Sequence, residues 1–426
     1  MDSHSKNKFK DAMQTGSYRW LIIVVWMCCQ AGSWMIITTL GMLLPFISEE
    51  FELSYSQQGL LFAIPIAAVL VLTIPLNLWV MRYRPVLMTT TTLVIGAILV
   101  FIQASSTVFI VFIVARLLFG IAVATREPAR ALIMQMRFHQ KDFPSVNGVT
   151  TCIISLFFAL TLVAIPPLLS ALDNDWRLTL YILGAVYVLF IIIWTIIARD
   201  KLPQADQSSS LNKQTDTMSR LLRVFRRKVL WIAGLGIIGG TAAESSFLTF
   251  YPTLMLEKHN FPLHFTGIVM AVMYLTGGIS CLAIGRLAAN WQIRSRILFL
   301  SGILMPFSFI ALLLSDSIVL LVTIAIILGT TFAYLPIFFT VSYYLPHTQT
   351  KDAPVAHSFM FTCLASGSTL GPIISGVLQD SLNNLTLVLV LVSLSSLFVS
   401  IAAFFVNELP NDDIKNITYE SEQKLR

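Results

Sequence analysis

Charge is what this sequence has least of. Asp, Glu, Lys and Arg make up 12% of 426 residues, against 56% hydrophobic. A soluble chain of this length would carry about twice that charge fraction, so a soluble globular protein is excluded. Cysteine is also sparse. Cys28, Cys29, Cys152, Cys281 and Cys363 all lie in apolar runs and show no disulfide framework or metal-ligand spacing. No metal site or cofactor is therefore expected. The chain carries no nucleotide-binding motif, no nucleophile–base arrangement and no hydrophilic stretch that could fold as a catalytic domain, so an enzyme is not expected. A cleavable leader is not expected either, because the first apolar run is too long and no small-residue cleavage site follows it.

What is present is a series of twelve apolar runs, at 19–47, 56–80, 86–105, 108–136, 145–170, 177–198, 229–254, 265–290, 295–314, 317–345, 355–379 and 385–406. Each is long enough to cross a bilayer as a helix, which takes about 20 residues. The expected fold class is all-α integral membrane, with twelve transmembrane helices. With the N-terminus in the cytoplasm, 23 of the 28 Lys and Arg fall on the cytoplasmic side. The outer side receives Arg177 and Lys258, and Arg116, Arg126 and Arg130 lie inside a run. The positive-inside rule thus accounts for the pI near 9.1 without a nucleic-acid partner. Both termini are placed in the cytoplasm, and the short loops favour a bacterial inner membrane.

Most connections are short. The exception runs from Arg199 to Lys228, with Ser208-Ser209-Ser210 followed by a basic stretch from Arg220 to Lys228. It reads as a flexible linker and a short basic segment at the membrane surface. The expected organisation is a six-helix half over 1–198, a cytoplasmic linker over 199–228, a second six-helix half over 229–407 and a tail over 408–426. Equal halves joined this way point to a duplicated carrier with its substrate site between them near mid-membrane.

Several short motifs follow in register. Arg116-Leu-Leu-Phe-Gly120 lies in span 4, Trp176-Arg177 opens span 6 ahead of Gly184, Phe250-Tyr251-Pro252 closes span 7, and Ser366-Gly-Ser-Thr-Leu-Gly371-Pro372 lies in span 11. In this order, on these spans, the chain resembles the major facilitator superfamily over nearly its whole length. The resemblance implies a two-half helical fold and transport by alternating access. It makes Arg116 and Gly120 structural motif residues and spans 1, 4, 7 and 10 the cavity-lining ones. Departures narrow the choice. Met81 stands where the family's loop between spans 2 and 3 usually has Asp. Span 5 has Ile165-Pro166-Pro167 in place of the Gly-rich, Gly-Pro-ending motif usual in the family's antiporters. Span 2 resembles the nitrate and cyanate branch, but Thr73 stands where nitrate porters have Arg, which argues against nitrate.

Ionisable groups deep in a bilayer are costly and tend to be functional. Of 22 acids only Glu127 and Glu244 lie deep. On span 4, Arg116, Gly120, Val123, Glu127 and Arg130 fall within about 80° of one another, and Arg126 lies beside that stripe. Glu127 stands about 16 Å along the axis from Arg116, too far to pair directly, whereas Glu127 and Arg130 are spaced to pair. Pro128 should bend the helix. Arg126 or Arg130 is the expected anion-binding group for a substrate carboxylate or phosphate, by charge-assisted hydrogen bonds. The bland alternative is a Glu127–Arg130 pair that locks span 4 to a neighbour. Arg116, near the outer end, reads as structural and able to snorkel. Glu244 lies in Gly239-Gly-Thr-Ala-Ala-Glu244, where small residues allow close helix approach or local unwinding. It is the expected proton-coupling or substrate residue, with Glu127 behind it. Its alternatives are a static counter-charge or a cation-binding group. Gln30, Trp34 and Thr38, spaced i, i+4, i+8 on span 1, together with Tyr251 and Tyr334, are possible cavity-lining residues, although helix packing is the commoner role for such residues.

The leading expectation is a secondary active transporter for a small anionic or zwitterionic organic solute, coupled to protons and surrounded by membrane lipid, acting as a monomer. The alternatives are an exporter of a cationic or amphipathic compound with Glu244 as the solute-facing acid, and a non-transporting receptor on a carrier fold.

Overall fold

The structure is a computed structural model that describes residues 16–80, 85–126, 143–198, 225–287, 291–341 and 353–406. Among these residues the regular elements are all helical. In chain order they are α1 (Gly16–Phe51), α2 (Tyr55–Val80), α3 (Pro85–Ser105), α4 (Phe109–Ala124), α5 (Phe143–Ala171), α6 (Trp176–Ile197), α7 (Lys228–Glu257), α8 (Leu263–Leu287), α9 (Trp291–Leu314), α10 (Ile318–Thr331), α11 (Tyr334–Val341), α12 (Ala353–Leu382), α13 (Leu385–Ser393) and α14 (Leu397–Val406). Eleven helical stretches are long and apolar enough to cross a membrane, and α4 adds a shorter apolar helix among the described residues. Lipid offers no partner to a free N–H or C=O, and a helix satisfies both internally. Large apolar side chains such as Ile110, Val319 and Phe404 stand exposed on the outer helix faces.

Many hydroxyls inside the spans are satisfied locally. Thr39 donates to the Met35 carbonyl at 2.7 Å, Ser245 to Thr241 at 2.7 Å and Thr249 to Ser245 at 2.6 Å. This back-bonding lets Ser and Thr sit in low dielectric without an orphaned group.

The chain divides into two compact units, Met1–Leu53 with Ile64–Gln207, and Ser54–Ala63 with Ser208–Arg426. The start of α2 therefore groups with the second unit. In the first unit α1 packs on α5 and α6, and α3 on α4 and α6. Gly120 of the Arg-x-x-x-Gly motif lies against the Pro65 backbone, where a Cβ would overlap the carbonyl. At one end of this unit Asp175 caps α6 by accepting from the Arg177 and Leu178 amides, while Trp176 Nε1 and Arg177 both donate to Glu50 of α1. The Trp176-Arg177 pair is thus a helix start fastened to the end of α1.

In the second unit α7 packs most extensively on α12, and also on α14. Gly367 and Gly371 lie against the Ile238 and Ala242 backbones, and Gly234 against Cys363. Small residues on both helices bring the two backbones together. The small residues before Glu244 therefore serve close approach, and α7 is continuous through them.

Span 10, expected as one helix, is two. Pro336 has no N–H to offer the carbonyl four residues before it, Phe332, and the helix breaks there. The exposed groups are taken up by α8, where Cys281 Sγ donates to the Phe332 carbonyl at 3.6 Å and Ser280 to the Thr330 carbonyl at 3.0 Å. Span 12 is likewise interrupted by a single 3-10 turn over Leu394–Ser396.

Candidate functional site

Arg126 lies just past the end of α4, whose C-cap is Thr125. It is 1% exposed. Its Nη1 donates to the Tyr187 hydroxyl of α6 at 2.8 Å. Tyr187 Oη lies 2.9 Å from Ser33 Oγ of α1, and Ser33 donates to the Cys29 carbonyl at 3.1 Å. A guanidinium only donates, and each hydroxyl has one proton. The chain of bonds therefore has one consistent direction, from Arg126 to Tyr187 to Ser33 to a backbone carbonyl. Among the described residues nothing acidic stands along it.

Arg126 Nε and Nη2 are buried without a hydrogen-bond partner. Leaving donors of a buried cation unpaired costs several kcal/mol in general, so the arrangement is ready for an anion. Tyr187 itself is held firmly. It is fully buried, a Cβ at Gly32 or Gly96 would meet its ring or hydroxyl at 3.4 and 3.3 Å, and Phe119 packs edge-on at 6.4 Å.

Arg116 does not snorkel. It is 2% exposed, and its guanidinium donates to Gln103 Oε1 at 3.3 Å and to the Ile37 carbonyl at 3.5 Å. These bonds tie α4 to α3 and α1. Glu127, Arg130 and the bend expected at Pro128 lie outside the described residues.

In the second unit Glu244 stands midway along α7 and is partly exposed. Its carboxyl group is close to the Tyr274 hydroxyl of α8 and is an electrostatic neighbour of Tyr334 at the start of α11. Gly240, one turn before Glu244, makes room for the Tyr334 ring. The break before Tyr334 thus sets an aromatic hydroxyl beside the one deep acid among the described residues. Tyr251 is buried and stacks on Phe247 at 4.1 Å, with its hydroxyl unpartnered. On α1, Gln30 and Thr38 are buried and Trp34 is partly exposed, while the Thr38 hydroxyl is turned back to the Met35 carbonyl.

Tyr187, Ser33 and Tyr274 escaped the sequence reading. Tyr187 and Tyr274 lie on spans 6 and 8, outside the spans that the resemblance marks as cavity-lining. The available signal was a tyrosine in an otherwise apolar run, and a serine one turn from Gln30.

A sequence model described as Major Facilitator Superfamily matches residues 26–372. The chain belongs to the major facilitator superfamily. It is similar to a protein named "Uncharacterized transporter YybO" from Bacillus subtilis (strain 168), 22% identical over 373 residues that cover 80% of this chain and 83% of that protein. It is also similar to a "Probable L-galactonate transporter" of Escherichia coli (strain K12), 23% identical over 260 residues covering 58% and 56%. Among solved structures it resembles a bacterial homologue of the human lysosomal transporter Spinster, with TM-score 0.77 and 16% identity over 94% of this chain and 99% of that one. The nucleoside transporter NupG aligns with TM-score 0.69 and 16% identity over 92% and 100%. At these identities the structural likeness establishes the fold alone. The chain is a multi-pass membrane transporter rather than an enzyme, and it works by alternating access.

Proposed function

We propose that this carrier moves a small anionic or zwitterionic organic solute coupled to protons, with Arg126 binding the anionic group and Glu244 carrying the proton. The observation that carries the reading is the buried Arg126 guanidinium with Nε and Nη2 unpartnered. A substrate anion would complete it with charge-assisted hydrogen bonds. The similarity to a protein named as a probable L-galactonate transporter supports the same class, since galactonate is a carboxylate. Glu244 supports the coupling role through its place midway along α7 and its two tyrosine neighbours. Glu127 and Arg130, one and four residues after Arg126 in sequence, are included as further proton and anion groups. The proposed organisation is a half over 1–198 that carries Arg126, a cytoplasmic linker over 199–228, a half over 229–407 that carries Glu244, and a tail over 408–426. The working form is a monomer in a bacterial inner membrane with both termini cytoplasmic.

A second reading, export of a cationic or amphipathic compound, draws on the same Glu244, because an acid beside two tyrosines also suits a cation. One experiment separates them. Purified protein in liposomes loaded with a pH-sensitive dye is challenged with pools of organic acids, amino acids and organic cations. Proton entry triggered by an acid or amino acid, with accumulation lost in Glu244→Gln while solute exchange across the membrane persists, is the expected result. Proton exit triggered by cations alone would establish the exporter instead.

A further inference from the structure

We infer that Tyr187 and Ser33 are positioning residues that hold the Arg126 guanidinium by its Nη1 corner, leaving the Nε–Nη2 edge for the two oxygens of one substrate carboxylate. The inference rests on the anionic-solute reading above and deepens it. Its ground is which nitrogens are used and which are not. Nη1 is engaged by Tyr187 at 2.8 Å, and Nε and Nη2 are the two left unpartnered. In a planar guanidinium the N–H of Nε and one N–H of Nη2 run parallel along one side. This is the side-on fork that matches a carboxylate in a bidentate pair. Had Tyr187 taken Nε, this side-on fork would be gone and only the end-on Nη1–Nη2 edge would remain.

The anchor is suited to the task because it is neutral and stiff. Tyr187 and Ser33 accept without cancelling the positive charge, and the series ends on the Cys29 carbonyl. An acid at this place would hold the guanidinium as well but would compete with the substrate for it. The ring cannot swing, since Gly32, Gly96 and Phe119 confine it from three helices. The site is thus built from α1, α3, α4 and α6 of one unit around a single two-oxygen anion.

The test uses the whole purified protein and a panel of potassium galactonate, lactate and glutamate, beside inorganic phosphate and the uncharged galactono-lactone. Binding is read by thermal stabilisation and transport by liposome uptake. The wild type should bind at least one carboxylate and not its uncharged counterpart. Arg126→Lys, which keeps a cation but has no fork, should lose binding by about a hundredfold. Tyr187→Phe keeps the ring and frees the guanidinium, and should raise KM for the carboxylate about tenfold with kcat little changed, the size of one charge-assisted hydrogen bond. Ser33→Ala should do the same to a smaller degree. The double variant should be no worse than Tyr187→Phe, because the two act in series. If Tyr187→Phe proves unfolded, Ser33→Ala alone carries the test through the same KM shift. Carboxylate binding that is equal in wild type, Arg126→Lys and Tyr187→Phe would overturn the inference while leaving the anionic-solute reading intact. Phosphate bound in place of every carboxylate would also overturn it. No binding of any anion by the folded wild type would overturn that reading, and the inference with it.

Discussion

At the scale of single residues, the glycines decide how near two helices come, and one of them does so beside a functional group. Gly240 leaves the space in which the Tyr334 ring lies, one turn from Glu244. In Gly240→Ala the new Cβ would stand 2.6 Å from the Tyr334 hydroxyl, so the ring must move. A tyrosine confined after a helix break has little freedom to move without cost, and overpacking of this kind destabilises by about 1–3 kcal/mol. The expected outcome is a lower melting temperature together with a larger fall in proton-coupled uptake than in solute exchange. Gly120→Ala has a different expectation. Its Cβ would meet the Pro65 backbone, which cannot rotate away, so stability should fall by a similar 1–3 kcal/mol. In thermal unfolding of the purified protein, a Gly120→Ala variant as stable as wild type would show that the contact with Pro65 is looser than the helix crossing indicates. Both glycines are visible in the sequence, but only Gly120 is marked there by a motif. The partner of Gly240 is Tyr334, 94 residues further along the chain in span 10, and could not be read.

At the scale of elements, the start of α2 shows how completely a helix terminus can be satisfied. Ser54 and Gln57 form a capping box, with the Ser54 amide donating to Gln57 Oε1 at 3.0 Å and the Gln57 amide to Ser54 Oγ at 3.3 Å. The Tyr55 and Ser56 amides remain, and both donate to the Asp380 carboxylate of α12 at 3.0 Å, joined by the Ser56 hydroxyl. Gly376 permits this approach by lying against the Tyr55 carbonyl. Asp380→Ala strands two N–H groups and should destabilise the protein by about 1–2 kcal/mol, in the upper range for a lost cap. Asp380→Asn retains one acceptor oxygen and should lose less. Equal melting temperatures for wild type and Asp380→Ala would show that water replaces the carboxylate there at no cost. The elements themselves were largely legible, because an apolar run of 20 or more residues has one stable form in lipid. The capping box could be read from Ser54 and Gln57 alone. Its completion by Asp380 could not, since no local pattern links residues 325 apart. The same holds for the break in span 10. Pro336 was plain in the sequence, yet the Ser280 and Cys281 bonds that make the interruption tolerable come from α8.

At the scale of the whole molecule, sidedness follows from charge rather than from any single contact. If successive helices cross a membrane in alternation, the connections after α1, α3, α5, α7, α9 and α12 fall on the same side of it. Those connections hold few basic residues, and Arg177, beside one of them, is spoken for by Glu50 and the Ser106 carbonyl. In the sequence, half of the Lys and Arg fall in the linker and in the stretches before the first and after the last apolar run. Basic residues near span ends resist translocation, and their bias sets orientation when loops are short. The end carrying Asp173 and Asn174 should therefore face outward and the C-terminus should lie in the cytoplasm. Alkaline phosphatase, which is active only outside the cytoplasm, tests this directly. Fused after Asn174 it should be active, and fused after Arg426 inactive, while a fluorescent protein fused after Arg426 should glow. The opposite pattern would place 23 basic residues on the outer face, and a twelve-span carrier could hold that orientation only if something other than loop charge governed its insertion.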